Sequence, residues 1–184
     1  MHYRVMRPVN GLAPAYEDTA GWRERFRLTG IPQVIDYCSP SGAFLEDLSG
    51  LPGSYSSDNF DYIRSQKTFL INNLNYAQML AARSPGSRIF GLIFDPQAKD
   101  LTEDTELLGF DLLDQGGHYS LLEYPEPLEA QFGRSLINQF ALISQLTKAR
   151  AVKQFLRTHF GATDWHAQTC EVWAVFRVQP APIA

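Results

Sequence analysis

RIFGLIFDPQAKDLTEDTELLGFDLLDQGGHYSLLEY, residues 88–124, holds a buried-strand signature, an acidic connection and a hairpin signature in one pass. Arg88 to Phe94 has the apolar density of a strand covered on both faces, and it stops at Asp95-Pro96. The run ELLGFDLL at 106–113 pairs through the turn Asp114-Gln115-Gly116-Gly117 with HYSLLEY at 118–124, which predicts a β-hairpin. Between the two strand signals lies a loop rich in carboxylates.

Downstream, Pro125-Glu126-Pro127 opens a helical region reaching Gly161, with acidic residues in its first turn and glycine at its end. Leu128, Phe132, Leu136, Phe140 and Ile143 make one apolar stripe. Ala149, Val152, Leu156 and Phe160 make a second, which belongs to a separate helix if the chain bends near Thr147. Thr169 to Val178 reads as a strand inside a sheet, and residues 179–184 as a flexible tail. Upstream, Tyr3 and Val5 alternate with Arg4 and Met6 in the manner of a short edge strand. Residues 15–28 predict a helix, QVIDYC a strand and SPSG a turn. The Gly- and Ser-rich segment 42–57 reads as an ordered loop of the kind that covers sites. Asp58 is the expected N-cap of a helix lasting to Ala82, with a break near Asn72 allowed by three asparagines.

Strand signals that follow one another in hairpin fashion favour a mainly antiparallel sheet with helices on one face. The expectation is one α+β domain over 1–184, with about four to six strands and two or three helices packed on one face. No repeat, low-complexity block or dividing linker argues otherwise.

Composition narrows the class. A chain of 184 residues can bury a core without metals or disulfides, and 45% hydrophobic against 20% charged residues is the balance of a folded domain. The longest apolar runs fall far short of a membrane span, and the N-terminal MHYRVMRPVNG lacks the apolar stretch of a signal peptide, so a cytoplasmic location is expected. A formal net charge of −4 disfavours general nucleic-acid binding, which rests on phosphate neutralisation.

Few residues carry a recognisable chemistry. Cys38 in DYCSPSG lacks the arginine six positions on that a phosphatase loop requires, position 44 being Phe, and both Cys38 and Cys170 read as structural thiols. Neither a nucleophile elbow nor a phosphate-cradling glycine loop is present. Asp111, Asp114 and His118 flank one turn, but two aspartates three apart on a strand point to opposite faces. His159, Asp164 and His166 form a second loose set without zinc-helix spacing. No metal and no cofactor are expected. Arg150, Lys153 and Arg157 form a basic stripe without interleaved aromatic residues, so nucleic acid ranks third among partners.

The sharpest anomaly is acidic. Seven of the chain's twenty carboxylates fall between Asp95 and Asp114, opposed by Lys99 alone. Its plainest explanation is a solvated loop with a charged edge that resists aggregation. The functional expectation is a small, acidic, non-catalytic protein-binding module that docks a basic partner through Asp100, Glu103, Asp104, Glu106, Asp111 and Asp114. A bacterial immunity protein or antitoxin that neutralises a basic toxin is one concrete instance. The alternative is a small enzyme with a loop-covered site near Cys38, Asp111 and His118.

Overall fold

The computed structural model describes residues 1–8, 39–40, 45–48, 58–63, 68–101, 106–115, 117, 119–123, 125–133 and 135–178. Seven strands occur among them: β1 (His2–Pro8), β2 (Leu45–Asp47), β3 (Phe60–Ile63), β4 (Thr68–Ile71), β5 (Arg88–Phe94), β6 (Glu106–Leu113) and β7 (Glu171–Val178). The helices are α1 (Leu74–Ala82), α2 (Pro125–Phe132), α3 (Leu146–His159) and α4 (Trp165–Thr169). Six strands run side by side in the order β3-β4-β1-β5-β7-β6, every pairing antiparallel, and β2 shares with β4 the edge of β1 that faces away from β5. The chain is thus a single α+β domain built on an antiparallel sheet. No helix among the described residues is long and apolar enough to cross a membrane.

Strand alternation sorts the core onto two faces. On one face Val172, Ala174 and Phe176 of β7 and Phe110 and Leu112 of β6 meet Leu128 of α2, Ala149, Val152 and Leu156 of α3 and Ala167 of α4. On the same face Val5, Ile71 and Ile89 bury Ala77 and Leu80 of α1. Met6, Leu70, Phe90, Leu92, Trp173 and Val175 line the opposite face. Because β5 and β6 both run antiparallel to β7, they are parallel to each other, and residues 95–105 form the crossover that joins them past β7. Leu101 packs into the helix-side cluster, which places the end of the described stretch 95–101 on the helical face.

Several expectations change. Among the described residues the predicted hairpin after β6 is reduced to one bridge, Leu113 to Ser120, and Leu121–Glu123 turn as a 3-10 helix. Leu121 and Leu122 are both buried, so this stretch lacks the one-in, one-out pattern a half-covered strand requires. β6 instead pairs with β7 along its length, and its other edge meets Ile143 at Phe110. The helix expected from Asp58 starts only at Leu74, capped by the Asn73 side chain, which accepts from the backbone of Tyr76. FDYI and TFLI before it, rich in aromatic and β-branched residues, pair as a hairpin.

The long helical region divides at Gly133, whose φ of 84° ends α2, and α3 begins at Leu146. Between them Asn138 Oδ1 accepts from the backbone of Phe140 and Leu142 while its Nδ2 donates to Leu108 O at 2.8 Å. Gly109, in the bulge of β6, sits so close to Ile143 and Leu142 that a Cβ there would meet both at 2.8 Å. β1 is interior rather than an edge, and part of the expected loop 42–57 is strand β2. β7 lies inside the sheet as its two apolar faces predict. The expected helix at 15–28, strand QVIDYC and tail 179–184 lie outside the described residues.

Candidate functional site

Asp111 faces away from the helices, opposite Trp173 on β7, and is completely buried. It accepts hydrogen bonds from the Ser39 hydroxyl, from Ser120 Oγ at 2.6 Å and from the Leu112 backbone N–H at 2.8 Å. Burial pushes its pKa up to about 6, against the opposing pull of these three bonds. Arg4, from β1, is 2% exposed and donates through Nη1 to Pro40 O at 2.7 Å and Gly117 O at 2.6 Å. Its Nε lies 3.0 Å from Asp47 Oδ2 but is out of line for a hydrogen bond, so that pair is held by charge.

Arg4 and Asp111 therefore clamp the same two chain segments, 39–40 and 117–120, onto the sheet from separate strands. Arg4 takes their carbonyls and Asp111 takes their hydroxyls. The residues on which the enzymatic expectation turned, Cys38 and His118, lie outside the described residues, yet their sequence neighbours Ser39, Pro40, Gly117 and Tyr119 meet here.

Asp114 turns the other way. Its Oδ1 accepts from the Tyr119 backbone at 3.2 Å and its Oδ2 lies 3.0 Å from His166 Nδ1, across the chain on α4. The His166 ring packs against Tyr119 at 4.9 Å and meets Trp165 edge to face at 5.2 Å. Asp111 and Asp114, expected to face a partner, are thus taken into the interior. A carboxylate at the end of a buried strand is desolvated unless it finds donors, and each of these has found them.

The remaining acidic residues follow the connection. Asp95 and Glu106 are exposed and Asp100 is half-buried. Asp100 Oδ2 accepts from the Gln97 backbone at 2.8 Å, and Glu106 lies 3.5 Å from Arg177. Glu103 and Asp104 lie outside the described residues. Compared with known protein families, curated proteins and solved structures, the chain matches none.

The basic stripe of α3 is occupied by structural contacts. Arg150 donates to Pro96 O at 2.9 Å and Gln97 Oε1 at 3.2 Å, fastening the acidic connection. Lys153 and Arg157 reach Glu171 at 2.5 Å and 2.8 Å, and Arg157 also takes Cys170 O. Among the described residues, no group of three or more His, Cys, Asp or Glu side chains gathers as a metal site would require. Sequence reasoning passed over Arg4, Ser39, Ser120 and Trp165. Met6, apolar on the same side of β1 as Arg4, was the available sign that this side is covered.

Proposed function

We propose that this chain is a protein-binding module without a catalytic role, which docks a basic protein through the connection between β5 and β6. One observation carries the reading: Asp95 and Glu106, which follow β5 and begin β6 at the two ends of the connection, are both exposed. Charge held there raises the encounter rate with a basic partner and discriminates against acidic ones. Asp100, Glu103, Asp104 and Glu106 are the contact residues in this reading, and neutralisation of a basic toxin is its most concrete form. The test is affinity capture from the source organism's lysate, run in parallel with wild type and with D100N/E103Q/D104N/E106Q. A basic protein held in stoichiometric amount by wild type, released by salt and lost by the variant, is expected. Equal recovery on both baits overturns the reading.

A second reading, a small enzyme using Cys38, Asp111 and His118, is favoured by the meeting of segments 39–40 and 117–120 on Arg4. Thiol alkylation tests it cleanly, because burial pushes the Cys170 thiol up to about 11 and removes it from the reaction near neutrality. An activated Cys38 keeps its alkylation rate down to pH 6. A rate that falls about tenfold per pH unit, as for an ordinary thiol, rejects this reading.

A further inference from the structure

We infer that Asp111 acts as a latch that holds the turn after β6, together with Ser39 and Pro40, shut over the sheet in acid and lets them open locally as the medium turns neutral. Among the described residues the backbone bonds of this turn close on the turn itself: Gly117 N–H donates to Asp114 O at 2.9 Å and Asp114 N–H to Tyr119 O at 3.0 Å. They do not join the ladder between β6 and β7. Side chains make the ties to the sheet, Ser120 and Ser39 through their hydroxyls on Asp111 and Arg4 through Gly117 O and Pro40 O. Leu121 and Leu122, buried in the helix-side cluster, mark where the movable part ends. A turn bonded mainly to itself opens at lower free energy than the strands beneath it.

The surroundings of Asp111 make the latch respond to pH. It is completely buried, and its three donors, two hydroxyls and the Leu112 N–H, are all neutral. β7 sets Trp173 opposite it, the turn supplies Ser120 and segment 39–40 supplies Ser39, none of them charged. On β6 and β1 the charged groups are engaged elsewhere, Asp114 with His166 and Arg4 with Asp47 and the two carbonyls. Among the described residues no cation is paired with Asp111, and burial raises its pKa to about 6. Trp173 adds to the demand for water, because its indole N–H is buried without an acceptor. The closed form holds the Asp111 proton more tightly, so it is favoured fully below the ordinary 3.8 and loses that advantage as pH rises through 6. The Arg4 guanidinium stays charged throughout and sets the level from which Asp111 shifts the balance. In the open form Asp111 and both hydroxyls meet solvent.

The test is amide hydrogen exchange of the full-length chain, followed residue by residue by NMR between pH 4 and pH 7, with and without a low concentration of urea. Corrected for the intrinsic rise of chemical exchange with pH, opening at the Gly117 and Tyr119 amides should increase about fiftyfold, the part of the Asp111 shift that falls in this range. Urea should leave these two amides unchanged while it speeds those of β7, which report global unfolding. Asp111→Asn should flatten the rise. Ser120→Ala removes a donor to the charged form, so the rise should level off at a higher pH, and this variant decides the matter if Asp111→Asn does not fold. Exchange of Gly117 and Tyr119 only in step with β7, or a wild-type profile flat with pH, overturns the inference. A rise that survives in Asp111→Asn belongs to the Asp114 and His166 pair and overturns it equally, as does an unmoved profile in Ser120→Ala.

Discussion

Asp100 and Glu106 on one side, Asp111 and Asp114 on the other, belong to the same acidic stretch and have opposite fates. The first two keep contact with water, Glu106 exposed and Asp100 half-buried, so their charge is solvated at little cost. The second two sit near the end of β6, where the sheet is covered and each carboxylate must find donors or lose its charge. Asp111 has three hydrogen bonds and still has its pKa pushed up to about 6, so the interior only partly replaces water. Proximity in sequence therefore says little about whether a carboxylate serves the surface or the core.

The contrast is open to attack at its strongest point first. Arg4→Ala would leave two buried carbonyls, Pro40 O and Gly117 O, without this donor and would remove the guanidinium 3.0 Å from Asp47. Urea unfolding should register a loss of about 3–5 kcal/mol, as for other broken buried charge networks. A loss below about 1 kcal/mol would mean that segments 39–40 and 117–120 are held by something other than this clamp.

Next in size is the pH dependence of Asp111. Its folded pKa, about 6, lies above the ordinary 3.8, so the folded chain holds this proton more tightly than the unfolded chain does. The sign follows: the contribution is fully present below pH 3.8 and is lost as pH rises through 6. The shift corresponds to about 3 kcal/mol across that window. Asp111→Asn removes the titration, so the stability of wild type relative to the variant should fall between pH 4 and pH 7 in parallel denaturation series. A difference that stays flat with pH would show that Asp111 is better solvated than its burial implies.

The smallest effect belongs to the surface. Glu106→Gln, which touches only an exposed pair with Arg177, should change stability by less than about 0.5 kcal/mol. A melt shifted as strongly as that of an interior variant would erase the distinction between the two halves of the stretch.

Apolar runs and turn residues were enough to anticipate a single α+β domain, an antiparallel sheet, β5, β6, and β7 in the sheet interior. Local pattern reports how much of a strand is covered, and that much is written in adjacent residues. The change near Asn72 was legible only as a break in a helix, whereas the residues before it form two strands and the helix begins at Leu74. Pairing was less legible. The turn after Asp114 looks like a hairpin turn, yet β6 pairs with a strand that follows it by more than fifty residues, because β7 offers two apolar faces and HYSLLEY offers none that alternate. The clamp of Arg4 and Asp111 was legible only in part. Asp111 stood out as a carboxylate among leucines, whereas Arg4 took its role from carbonyls far away in the chain.

Composition and periodicity by themselves determined the class of fold, the acidic character and the buried strands, because these depend on residues next to one another. Tertiary structure alone decided which carboxylates remain at the surface, which serines meet Asp111 and that His166 meets Asp114. Those are contacts between residues distant in sequence, and they are set by which strands become neighbours rather than by any local pattern.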